Sequence, residues 1–130
     1  MSRILLVGDD ELLRKMLKLS LQKMGHLVEE AGTGAEALRL CESEPPDLVL
    51  TDIIMPDKEG LETIGAIRQL YPDLRIIAMS GGGRANSIDY LKIARQLGAM
   101  HTLEKPFSYE QLNLAITKVM AEPAPRKIAR

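Results

Sequence analysis

The chain has 130 residues, enough for one ordinary domain and too few for two full cores. Its hydrophobic fraction of 45% and charged fraction of 27% exclude a disordered chain, and a formal net charge of −1 excludes a nucleic-acid module held by bulk positive charge. That near-zero charge hides a split: residues 1–65 carry seven Lys+Arg against thirteen Asp+Glu, whereas residues 66–130 carry ten against five.

Cys41 is alone, so no internal disulfide is possible and a reducing, cytoplasmic compartment is expected. Asp9, Asp10 and Glu11 interrupt the first apolar run, and no segment approaches the ~18 apolar residues of a membrane span. Aromatics make up 3% with no Trp, which argues against stacking platforms for bases or sugars.

In chain order, Arg3-Ile-Leu-Leu-Val7 is an apolar run typical of a strand buried on both faces. Leu13, Met16, Leu17, Leu21 and Met24 follow at helical spacing, with Gly25 as the stop. Residues 26–31 form a second strand, and Glu29 and Glu30 place it at an edge, facing solvent. Thr33 and Glu36 make a capping box for a second helix that Pro45 and Pro46 end. Residues 47–52 are the third strand and 53–60 a loop. A third helix starts near Leu61 and stops before Pro72. Residues 74–79 are the fourth strand, followed by a loop beginning Ser80-Gly-Gly-Gly83. A fourth helix then runs from Ser87 to Leu97 and closes at Gly98. Residues 100–103 are a short fifth strand, Lys105-Pro106 breaks the chain, and Ser108 with Gln111 caps a last helix. Residues 122–130 form a polar, flexible tail with three basic residues.

Five strands alternating with five helices imply a parallel sheet covered on both faces. In such sheets, sites form at the carboxyl ends of the strands. That rule gathers Asp9, Asp10, Asp52, Ser80 and Lys105 at one edge. Clustered carboxylates repel unless a cation sits among them, and Mg²⁺ takes one or two carboxylates, waters and a phosphoryl oxygen. Asp52, on the central strand, is the candidate nucleophile for an aspartyl-phosphate, with Lys105 and Ser80 binding phosphoryl oxygens. His26 and His101 lack partners at metal-ligand spacing, and Cys41 reads as packing. Gly32-Thr-Gly-Ala-Glu-Ala37 imitates a dinucleotide-binding fingerprint, but it follows the second strand rather than the first, and the chain is short for that fold.

Four motifs in order, Ile4-Leu-Leu-Val-Gly-Asp-Asp-Glu11, Asp47-Leu-Val-Leu-Thr-Asp-Ile-Ile-Met-Pro56, Ile76-Ile-Ala-Met-Ser80 and Leu103-Glu-Lys-Pro-Phe107, resemble the receiver domain of bacterial two-component response regulators. The resemblance covers residues 3–121. It implies a flavodoxin-like (βα)5 sheet in the order 2-1-3-4-5. It also implies transfer of a phosphoryl group to Asp52, with Mg²⁺, from a histidine kinase or histidine phosphotransfer protein. Carried over residue by residue, Asp9, Asp52 and the Ile54 carbonyl hold the metal, with Asp10 a weaker candidate turned aside at the helix start. Ser80 is the switch hydroxyl, Lys105 binds the phosphoryl group, and the Lys105–Pro106 peptide is cis.

Three positions depart from the family pattern. Gly8 stands where a first acid is usual, which should weaken metal binding without removing the direct ligand. Thr102 occupies the position of the usual switch aromatic. Gly81, Gly82 and Gly83 free the loop after Ser80, so ordering of that loop is expected to replace the aromatic switch.

Without an output domain in these residues, the expected protein is a stand-alone regulator with no DNA-binding domain and no membrane segment. It is not an enzyme beyond its own phosphorylation and dephosphorylation. It would act through the face of the fourth helix, fifth strand and fifth helix, which bears Tyr90, Lys92, Arg95, His101, Tyr109 and Lys118, and homodimerisation is left open. The alternative is a pseudo-receiver, an interaction module that works without phosphate. A phosphohydrolase is disfavoured because its second Asp would fall at Ile54.

Overall fold

The structure, a computed structural model, describes residues 2–53, 59–81 and 87–125. Ten elements alternate along the chain: β1 (Arg3–Val7), α1 (Glu11–Lys23), β2 (Leu27–Ala31), α2 (Gly34–Ser43), β3 (Leu48–Asp52), α3 (Glu59–Leu70), β4 (Arg75–Ser80), α4 (Ser87–Leu97), β5 (His101–Glu104) and α5 (Tyr109–Ala121). All strand pairs are parallel, in the order β2-β1-β3-β4-β5. The flavodoxin-like arrangement expected from the sequence is the one observed.

Strand alternation explains why two helical layers are needed. Ile4 and Leu6 of β1, Leu48 and Leu50 of β3, and Ile77 and Met79 of β4 face one side, where α1 and α5 cover them with Leu17, Leu21, Leu112 and Ile116. Leu5, Val7, Val49, Ile76 and Ala78 face the other, beneath Ala37, Cys41, Ile64, Ile67 and Ala94 of α2, α3 and α4. Every residue of β3 is buried, as a central parallel strand requires. Cys41 is fully buried in this second layer, and burial, with the charge of Glu29, pushes its thiol up to about 11.

Several boundaries differ from the sequence expectation. Ser80 closes β4 rather than opening the loop, and β5 begins at His101. Gly60 lies inside α3, not in a loop. A Cβ there would stand 2.5 Å from the Asp52 carbonyl oxygen and 2.5 Å from Ile53 Cα, so only glycine lets α3 start this close to the end of β3. The box at Thr33 is also modified. Thr33 accepts from the Glu36 amide, but the Glu36 carboxylate accepts from the Gly32 amide, one residue earlier. The box at Ser108 and Gln111 is complete. Glu30 is not solvated. Its side chain is 13% exposed and bridges Arg14, Lys15 and Lys18 of α1, because β2 lies directly beneath that helix. At the far end, Arg75 of β4 donates to the Val119 and Glu122 carbonyls, which fixes the first residue after α5. No described helix is long and apolar enough to cross a membrane.

Candidate functional site

Asp52 ends the central strand and is 6% exposed. Its Oδ2 accepts a 2.7 Å hydrogen bond from Lys105 Nζ, from the segment that follows β5. The Lys105 amide donates to the Ser80 carbonyl at 2.8 Å, and the Ile53 amide to the Met79 carbonyl at 2.9 Å. These backbone bonds lock the ends of β3, β4 and β5 in step. The Lys105–Pro106 peptide is cis, as the family resemblance implied.

Ser80 is fully buried, and its Oγ has no hydrogen-bond partner among the described residues. An unpaired buried hydroxyl is costly unless something polar completes it. Here it stands at the same sheet edge as Asp52 and Lys105. Thr102 sits opposite Ala78 on β5 and is half-buried, so the aromatic position carries a small polar side chain. Residues 82–86, on which the expectation of an ordering loop rests, lie outside the described residues.

Asp9 and Asp10 follow β1 and are exposed. Asp10 is the N-cap of α1, accepting from the Leu13 amide at 3.1 Å, which turns it to a structural task. Asp9 makes no such bond with a described residue. A Cβ at Gly8 would lie 3.7 Å from Asp52 Cβ, in ordinary contact, so an acid there would stand beside Asp52. Instead a cavity of about 10 Å³, room for about one water, is lined by Gly8, Asp10, Arg14, Asp52 and Met79 among others.

Ile54 lies outside the described residues. Among the described residues, no group of three or more His, Cys, Asp or Glu is placed to hold a metal. Asp52 ends β3 and Asp9 follows the neighbouring β1, at the same edge of the sheet. Two carboxylates suit Mg²⁺, which keeps several waters and completes its shell with phosphoryl oxygens. The residues fit that ion in a weakened form, one charge short.

Sequence reasoning missed Gly60 and the Arg14 strut. Arg14 donates to Glu30 at 2.9 Å and to the Gly8 carbonyl, tying the turn that carries Asp9 to β2. A basic residue one turn into a helix gives no signal of this kind until β2 is known to lie beside β1.

A buried aspartate at the end of the central strand, a lysine bound to it and the sheet order 2-1-3-4-5 are found together here. Residues 4–117 match the family model described as response regulator receiver domain. The chain belongs to that family. Among curated relatives of this receiver, the DNA-binding transcriptional regulator NtrC of Azospirillum brasilense is 34% identical over 94% of this chain and 25% of its own length. The probable C4-dicarboxylate response regulator DctR of Halalkalibacterium halodurans is 35% identical over 89% of this chain and 50% of its own. The chain thus spans between a quarter and a half of these two relatives. Among solved structures, the receiver domain of NtrX from Brucella abortus superposes with a TM-score of 0.83 at 29% identity, covering 90% of this chain and 97% of that one. A CheY-like receiver domain protein from Methanospirillum hungatei gives 0.83 at 30% identity, covering 92% and 94%.

Proposed function

We propose that this receiver accepts a phosphoryl group on Asp52 from the phosphohistidine of a histidine kinase or phosphotransfer protein, and signals by changing its affinity for a protein partner. The observation that carries the proposal is the 2.7 Å contact of Lys105 with Asp52 beside the unpaired Ser80 hydroxyl. A carboxylate oxygen of Asp52 attacks phosphorus, forming a P–O bond as the P–N bond to the donor imidazole breaks. The electron pair of the P–N bond stays on the donor imidazole, which takes a proton from solvent water at its other ring nitrogen and leaves as the neutral base. Lys105 then shifts from the carboxylate to a phosphoryl oxygen, and the Ser80 hydroxyl gains the partner it lacks. Asp9, Asp52 and the Ile54 carbonyl are the residues that would hold Mg²⁺. That ion supplies positive charge against the phosphoryl oxygens. Water later cleaves the acyl phosphate, and no other catalysis is proposed.

The α4–β5–α5 face is the proposed output surface. The single-domain organisation expected from the sequence belongs to this proposal too. Native protein of the 130-residue mass would support it, and a species of about the relatives' length would place an output domain alongside the receiver.

Incubation with acetyl phosphate and Mg²⁺, followed by intact mass before and after hydroxylamine, tests the central step. The expected result is a single labile phosphoryl adduct, absent in Asp52→Asn. The second reading, an interaction module that works without phosphate, is favoured by Gly8 and by Thr102 at the aromatic position. It predicts no adduct at any Mg²⁺ concentration.

A further inference from the structure

The turn after β1 is held from outside its own residues. The Gly8 amide donates to the Ala31 carbonyl at 3.0 Å, so β2 grips the peptide just before Asp9. The Gly8 carbonyl accepts from Arg14 Nη1, and Arg14 Nε donates to Glu30 Oε1 at 2.9 Å. Glu30 and Ala31 are the last two residues of β2. Both backbone polar groups of Gly8 are thus tied to one strand end, the amide directly and the carbonyl through a guanidinium. Lys15 and Lys18 approach the other Glu30 oxygen at 3.3 and 3.2 Å and hold the carboxylate from its far side. On the other flank of Asp9, Asp10 is fixed as the N-cap of α1. Asp9 therefore lies between two anchored residues, and Arg14 also lines the small cavity that reaches Asp52.

We infer that Arg14, seated on Glu30, is a positioning residue for metal binding: it fixes the Gly8 peptide and so the place from which Asp9 meets Mg²⁺. The inference rests on the proposed role of Asp9 in holding that ion. A guanidinium suits the task, because its planar fork reaches an acid and a carbonyl at once with a fixed angle between the two donors. Lysine carries the same charge but lacks the fork. Groups that orient a metal ligand matter to metal affinity nearly as much as the ligand itself. The charge of Arg14 acts the other way, since a positive group beside the site repels a cation. Geometry and charge therefore predict opposite signs when Arg14 is replaced by a neutral residue.

The test measures Mg²⁺ affinity from amide shifts of the full chain, with no phosphoryl donor present. Arg14→Lys and Glu30→Asp keep every charge and alter only reach, so each should weaken Mg²⁺ by roughly tenfold. Having two conservative variants guards against loss of fold in either. Arg14→Gln should weaken Mg²⁺ as well, although it takes a positive charge away. The Arg14→Lys/Glu30→Asp double variant should cost no more than the larger single loss, because the two residues act through one contact. In the metal-free protein, hydrogen exchange at the Gly8 amide should quicken in Arg14→Lys while exchange at Leu17 and Leu21 of α1 stays unchanged. Adduct formation from acetyl phosphate, followed against Mg²⁺ concentration, should show a higher half-saturating concentration and the same plateau rate. A lowered Tm with unchanged Mg²⁺ affinity would mark a purely structural pair and overturn the inference. Tighter Mg²⁺ in Arg14→Gln, or losses that add in the double variant, would overturn it too. An adduct whose Mg²⁺ dependence is the same in wild type and Arg14→Lys overturns this inference and leaves the phosphoryl reading standing. Weakened Mg²⁺ in both conservative variants of a protein that forms no adduct supports the positioning role and removes the phosphoryl reading.

Discussion

Gly8 is the residue at which this receiver departs most from a strongly metal-binding site. Its Cβ position lies 3.7 Å from Asp52 Cβ, so a carboxylate introduced there would stand beside that of Asp52. Gly8→Asp is expected to tighten Mg²⁺ by roughly tenfold, because one more charge acts at contact range. An amide-shift titration with Mg²⁺ alone reads this directly, and unchanged affinity would count against Asp9 and Asp52 as the ligands. Without metal the same substitution should lower Tm, since adjacent carboxylates repel, and added Mg²⁺ should restore it. At this scale the sequence was highly legible. Asp52, Lys105 and Ser80 were found from strand-end positions, and the structure brings them to one edge. Arg14 and Glu30 were not found, because their meeting depends on α1 lying across β2, a tertiary fact with no local signature. Glu30 on its own looked like an ordinary edge-strand acid.

At the scale of elements, the strands and helices were legible because short apolar runs and period-3.6 patterns alternate cleanly between glycine and proline stops. Gly25 and Gly98 confirm two of those stops with φ of 96° and 136°, values that side-chain-bearing residues rarely adopt. The start of α3 was not legible. A glycine near a helix start reads as a loop residue, and only the 2.5 Å approach to β3 shows that it is there for space. Gly60→Ala should therefore cost about 1–3 kcal/mol, well beyond the small gain expected of alanine in a helix. Chemical denaturation measures the loss. Because the clash is with the Asp52 carbonyl and Ile53, the rate of adduct formation at Asp52 should fall as well. A stabilised variant would show that α3 can back away from β3 without cost.

The whole molecule links its titrations to its fold. Burial is the first cause holding both His26 and His101 below their ordinary 6.5, and Lys118 and Arg95 deepen the effect at His101 while Glu122 opposes it. As pH falls below 6.5, the unfolded chain takes up protons that the folded chain refuses, so stability declines. Glu30 responds lower down. Burial pushes its carboxyl up, but hydrogen bonds from Arg14, Lys18 and Lys15 outweigh this and hold it below 4.5, so a second loss begins as pH drops through that value. Denaturation midpoints measured against pH should show both declines. His26→Gln/His101→Gln should flatten only the upper one, and a midpoint that stays constant from neutrality to 5 would refute the assignment.

The Glu30 anchor has a consequence for the company the molecule keeps. β2 is an outer strand of an open sheet, with its unpaired backbone edge turned to the surroundings and Leu27 55% exposed at its start. Such an edge invites another chain to extend the sheet. The face of β2 that carries Glu30 is already covered by α1 through three ion pairs, so a second sheet cannot stack there without displacing that helix. The clamp that ties β2 to α1 thus also makes this end of the sheet a poor seed for fibrils.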